Sequence, residues 1–163
     1  MVIPEHTPQQ ALGTEPAGLL RRLAALAYDT LLLTALLMCF TLVVLLVRGG
    51  EAIPAGTWWF QLALLAVTAI FFAGFWAHGG QTLGMRAWRI RVVAADGGAV
   101  SYGRALPRFL AAWISLALAG LGFWWSLIDP ERRCWHDRLS GTRVVRLGRA
   151  SSATTEPVPP PPG

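Results

Sequence analysis

The stretch from Leu23 to Val47 decides most of what this chain can become: 25 residues that carry a single formal charge, Asp29. At about 1.5 Å per residue, a helix of that length outreaches the roughly 30 Å hydrocarbon core of a bilayer. A second block, Trp58 to Ala77, has Trp58 and Trp59 at its start and Trp76 at its end, where indole rings suit the two headgroup levels. Between them Arg48, Gly49, Gly50, Glu51 and Pro54 predict a tight turn. Composition agrees: 54% of the residues are hydrophobic and 14% charged, too oily for a soluble domain of this length. Within the second block Gln61 and Thr68 are seven residues apart on one helical face, placed to bond a neighbouring helix or simply to pack.

Every one of the 14 basic residues is arginine, and the net charge is +5. The arginines flank the hydrophobic blocks, where the positive-inside rule and anionic headgroups account for them. No recognition motif accompanies them, so no nucleic-acid partner is expected. Cys39 and Cys134 make no disulfide framework. Residues 1–18 hold Pro4, Glu5, Pro8, Gln9, Gln10, Glu15 and Pro16, unlike a cleavable signal, so the first block is expected to stay as an anchor. The domain is expected over 19–147. The segment 148–163, with prolines at 157 and 159 to 162, reads as a disordered tail.

From His78 to Arg108 the chain becomes polar and glycine-rich. Trp88 to Val92 alternates apolar and basic residues, and Asp96-Gly97-Gly98 then signals a turn before Ala99 to Tyr102, which predicts a short hairpin. Gly141 to Leu147 has the same alternation, and the two segments could pair only from one side of the membrane. The third block, Phe109 to Ile128, is uncharged and long enough to span, but Gly120 and Gly122 interrupt it. A third crossing would export Arg132, Arg133, Arg138, Arg143, Arg146 and Arg149, against the positive-inside rule. Two solutions stand: three plain spans, or a re-entrant hairpin that turns back near Gly120. The fold class is thus an all-α integral membrane protein of two to three transmembrane helices with a short β-like loop segment.

An intramembrane carboxylate costs at least a few kcal/mol, so Asp29 needs a partner or a wet cavity. Arg22 lies two turns away and leans toward the headgroups, out of reach. Asp29 is therefore either a proton or cation site or a structural counter-charge to Arg104 or Arg108. In the tail, Cys134-Trp135-His136-Asp137-Arg138 completes no known catalytic or metal arrangement, and a juxtamembrane turn fixed by Asp137 is expected. Gly79-Gly80-Gln81-Thr82-Leu83-Gly84 lacks the lysine of a phosphate loop and more simply shapes the exit from the second helix. No enzymatic activity and no cofactor are expected.

Three segments taken together, Arg21-Arg22-Leu23 through Tyr28-Asp29, then Gly80 to Arg86 leading to Ile90-Arg91-Val92-Val93, then His136-Asp137-Arg138-Leu139-Ser140-Gly141-Thr142, resemble the RDD family of membrane proteins. The resemblance covers roughly residues 18 to 147. The family's arginine maps to Arg22, with Arg21 an alternative. Its aspartates map to Asp29 and Asp137, with Asp129 an alternative for the second. What the resemblance implies is a bacterial inner-membrane domain with its N-terminus cytoplasmic. It also implies transport of a small ligand, cation/proton exchange among the proposals. Two or three spans cannot enclose a solute path, so transport would need a homo-oligomer. The alternative is a non-enzymatic adaptor within a larger membrane complex.

Overall fold

A computed structural model describes residues 15–148. Most of the polar N-terminal segment (1–18) and all but the first residue of the proline-rich tail (148–163) lie outside the described residues. Among the described residues two helices are long and apolar enough to cross a membrane. The first, α1 (Leu19–Val47), begins a turn earlier than the apolar pattern alone suggests and buries only Arg22, Ala25 and Asp29. Lipid-facing apolar residues occupy the rest of its surface, as in a helix whose solvent is hydrocarbon. The turn through Arg48 to Gly50 leads to α2 (Trp58–Gly79), which buries Thr68, Ala73 and Trp76. Gln61 stays exposed and Thr68 donates to the carbonyl of Leu64 in its own helix at 2.8 Å, so this pair packs and bonds no neighbour.

Gly80 ends α2 in a left-handed conformation at φ +70°, and a Cβ there would strike the carbonyl of Val92. The chain can therefore fold back beneath the helix, where Val92 donates to the Gly80 carbonyl at 2.7 Å. A single turn, α3 (Leu83–Ala87), and the strand β1 (Ile90–Ala94) follow. The turn at Asp96-Gly97-Gly98 forms, with Gly97 donating to Ala94 at 2.8 Å. The expected hairpin does not form. Ser101 starts the helix α4 (Tyr102–Ala117) instead, its carbonyl accepting from Arg104 and Ala105, and Val100 turns into the core. The partner of β1 is β2 (Thr142–Arg146), paired antiparallel with Val92 opposite Val144. Ala17 and Glu15 add the chain's beginning to the same patch, bonding Val144 and Arg146 at 2.9 Å each.

The third hydrophobic block bends sharply and returns toward the end where it starts. At about 1.5 Å per residue α4 is roughly 24 Å long, short of the hydrocarbon core. It ends where Ala119 (φ 53°) and Gly120 (φ 75°) both take left-handed backbone. The following α5 (Leu121–Trp124) and a 3-10 turn (Trp125–Leu127) leave at 105° to it. The short helix α6 (Trp135–Leu139) then packs back on α4, and β2 returns to β1. Both ends of the block therefore meet at one end of the molecule, together with the start of α1. A plain third span would have separated them. The core sits there too: Ile90, Val92, Val100, Ala105, Phe109 and Val144 pack with Ala25 and Trp76.

Candidate functional site

Arg22 enters the core from the first turn of α1 and is spent entirely on protein partners. Its Nε donates to the Ala17 carbonyl at 3.0 Å and one terminal nitrogen donates to the Arg132 carbonyl at 2.9 Å. The other meets the Cys134 sulfur at 3.3 Å and forms an ion pair with Asp137. Asp137 lies at the third position of α6, where its carboxylate also accepts from the Cys134 amide at 3.0 Å. The juxtamembrane turn expected of this residue is thus a capping arrangement. Its second oxygen pairs with Arg108 from α4. Arg108 donates as well to the Thr142 hydroxyl at 2.6 Å and lies 5.1 Å over the Trp76 ring. One fully buried carboxylate ties α1, α4, α6 and β2 together.

The charge states around it follow. Burial alone would push the Asp137 carboxyl up, but Arg108 and Arg22 outweigh it and hold it well below the usual carboxylate range. Burial, reinforced by the Arg108 charge, lowers the His136 imidazole to about 3, so it is neutral. Burial, then the negative charge of Asp137, pushes the Cys134 thiol up. Cys134, His136 and Asp137 offer ligand atoms within 4.8 Å of one another. Two guanidinium groups bound at that carboxylate and sulfur oppose a divalent cation there.

Asp29, the deeper acid, has other company. One oxygen accepts from the Thr82 hydroxyl and the other from the Gly84 amide at 2.8 Å, while Thr82 in turn accepts from Met85 at 3.2 Å. The carboxylate caps α3 from a different helix. The approach is close: a Cβ on Gly84 would run into the Ala25 carbonyl and come within 2.9 Å of the Asp29 carboxylate. The glycine-rich segment shapes the exit from α2, as its sequence suggested, and also delivers the donors for Asp29. Neither arginine named as its counter-charge serves it, because Arg104 faces Asp96 at 3.6 Å and Arg108 is taken by Asp137.

Arg22, Asp29 and Asp137 thus divide into a bonded pair and a separate acid. Arg22 and Asp29 nevertheless line one cleft between α1, α2 and α4, of about 290 Å³, with Arg108, Trp76 and His136 at the same end as Arg22. Arg108, Thr82 and Thr142 are the members that sequence reasoning missed. Arg108 was visible as the last charge before the third block but was matched with the other acid. Asp129, the alternative second aspartate, binds Arg138 and the Arg133 amide at the rim of the turn.

The model of the RDD family matches residues 16–141, which covers every residue just described up to the Gly141 turn. The chain belongs to the RDD family. Neither the curated proteins nor the solved structures contain a match. Within the matched residues Arg22 and Asp137 form an ion pair, and Asp29 lines the cleft beside them.

Proposed function

We propose that this RDD protein moves a small ligand across the membrane by proton or cation exchange at Asp29, working as a homo-oligomer. The observation that carries the reading is the contrast in partners. Asp29 lines the cleft with only a hydroxyl and an amide to hold it, so its charge can be neutralised and restored without breaking an ion pair. Asp137 is fixed between two guanidinium groups and has no such freedom. Two crossing helices enclose no path, so the reading needs several copies to complete one. Arg21, Arg86, Arg89, Arg91, Arg104 and Arg132 gather at the end where α1 begins, which supports a cytoplasmic N-terminus in a bacterial inner membrane.

The test is flux in vesicles holding the purified chain and a pH-sensitive dye. Pulses of sodium or potassium should drive proton movement for wild type, less for Asp29→Glu and none for Asp29→Asn. Absence of flux from wild type, with a membrane complex co-purifying instead, would overturn exchange in favour of the adaptor reading.

A further inference from the structure

The cleft carries a charge imbalance at its rim. Arg22 and Arg108 share one carboxylate, and among the described residues no second carboxylate pairs with either, Glu131 being taken by Arg133 at 2.8 Å. Burial and the adjacent Asp137 keep Cys134 a thiol, His136 is neutral, and Asp129 is committed to Arg138. Asp29, the other acid of the cleft, lies about 10 Å deeper along α1 and is held by Thr82 and Gly84. A buried cation left without its own counter-ion is costly by several kcal/mol.

Unpartnered polar atoms mark the same place. Trp76 Nε1, Arg108 Nε and His136 Nδ1 all lack a hydrogen-bond partner, on side chains that are buried and line the cleft. Buried polar groups in folded proteins are nearly always satisfied, so three around one rim indicate a missing bonding partner. The Arg108 guanidinium lies 5.1 Å over the Trp76 ring and all three atoms are buried, so a ligand reaches them only as these side chains shift. Below the rim the walls are mainly apolar through Leu26, Leu33, Phe72, Phe109, Trp113 and Leu116, with Asp29, Thr30 and Thr68 as the polar residues. The volume of about 290 Å³ falls just below the roughly 300–1,000 Å³ usual for ligand sites.

We propose that the cleft takes an amphiphile from the bilayer, its anionic phosphate headgroup at Arg108 and Trp76 and one hydrocarbon chain down the apolar walls. The anion answers the net positive rim, and the hydroxyls of such headgroups suit the His136 nitrogen in either tautomer. A chain in the cleft replaces contacts that a gap would forfeit. The inference goes beyond exchange at Asp29: it concerns the other end of the cleft and stands whether or not Asp29 moves protons.

The experiment uses the full chain in phosphatidylcholine nanodiscs and a phosphatidic acid with a diazirine on its acyl chain, with adducts mapped by peptide mass spectrometry. Adducts should fall between Leu26 and Leu33 and between Ala112 and Leu116. Unlabelled phosphatidic acid should displace the probe about ten-fold more effectively than phosphatidylcholine, the scale of one charge-assisted contact. Inorganic phosphate should not displace it. Equal competition by phosphatidylcholine would overturn the anionic head, displacement by phosphate alone would overturn the amphiphile, and adducts confined to Met38 through Leu46 would overturn the cleft. Ala112→Trp fills the cleft one turn below Arg108 while leaving the Arg22, Arg108 and Asp137 side chains in place, and labelling should fall about ten-fold with the melting temperature kept. Leu116→Trp, on a half-exposed position, replaces it if the first variant melts low, and unchanged labelling in a folded filled variant would overturn the proposal.

Discussion

Asp29 and Asp137 are both buried carboxylates that accept a backbone amide at the start of a short helix, yet they are held by opposite kinds of partner. Asp137 receives two guanidinium groups from distant helices and becomes a joint whose charge is permanent. Asp29 receives a hydroxyl and an amide, and its charge is locally uncompensated. The comparison teaches that in lipid a carboxylate's neighbours decide its role more than its depth does. An acid paired with arginine is structural, and an acid held only by neutral donors beside a cleft is free to change charge.

The sharpest way to break the contrast is Asp137→Ala, which strands two buried guanidinium groups. A loss of about 3–5 kcal/mol is expected, read as a collapse of thermal stability in detergent. Acid should act next. His136 binds its proton far more weakly folded than unfolded, and the same holds for Asp137. Because the unfolded chain takes up the proton first, stability is full above about pH 6.5. It should fall as pH drops toward 3, by up to about 1.4 kcal/mol per pH unit from His136 alone, with Asp137 adding to the loss below about pH 4. His136→Gln should flatten the upper part of that slope, measured as melting temperature against pH. Gly84→Ala would push α3 off α1 at the Ala25 carbonyl and should cost about 1–3 kcal/mol, with Asp29 losing its amide donor. The smallest stability effect belongs to Asp29→Asn, about 1 kcal/mol, since the amide keeps the shape and one acceptor. If that variant instead unfolds as Asp137→Ala does, the division between a structural and an exchangeable acid fails.

How far the sequence discloses this arrangement depends on the range of the forces involved. Both spanning helices follow from uninterrupted apolar runs, because hydrocarbon selects for them residue by residue. The turn at Gly120 was legible as one of two solutions, and the arginines after the third block supplied the reason to consider it. The partner of β1 was harder. Trp88 to Val92 and Gly141 to Leu147 carry the same alternation, but a nearby glycine turn favoured a local hairpin over a pairing across some fifty residues. The partners of the acids were least legible. Arg22 and Asp137 are 115 positions apart, and periodicity carries no trace of a contact set by tertiary packing. Arg108 stood at a plausible depth for Asp29, and only the path of α6 shows that Asp137 reaches it first.

The clasp between the first and last described stretches bears on how such a chain is made. Glu15 and Ala17 leave the ribosome before any of the described helices, yet their bonds are to Arg146 and Val144, which emerge after every apolar block. During synthesis Arg22 waits at the headgroup level for a carboxylate still more than a hundred residues away. At roughly 5–20 residues per second that wait lasts many seconds. A nascent chain halted between Arg108 and Asp137 holds both guanidinium groups without the carboxylate that joins them.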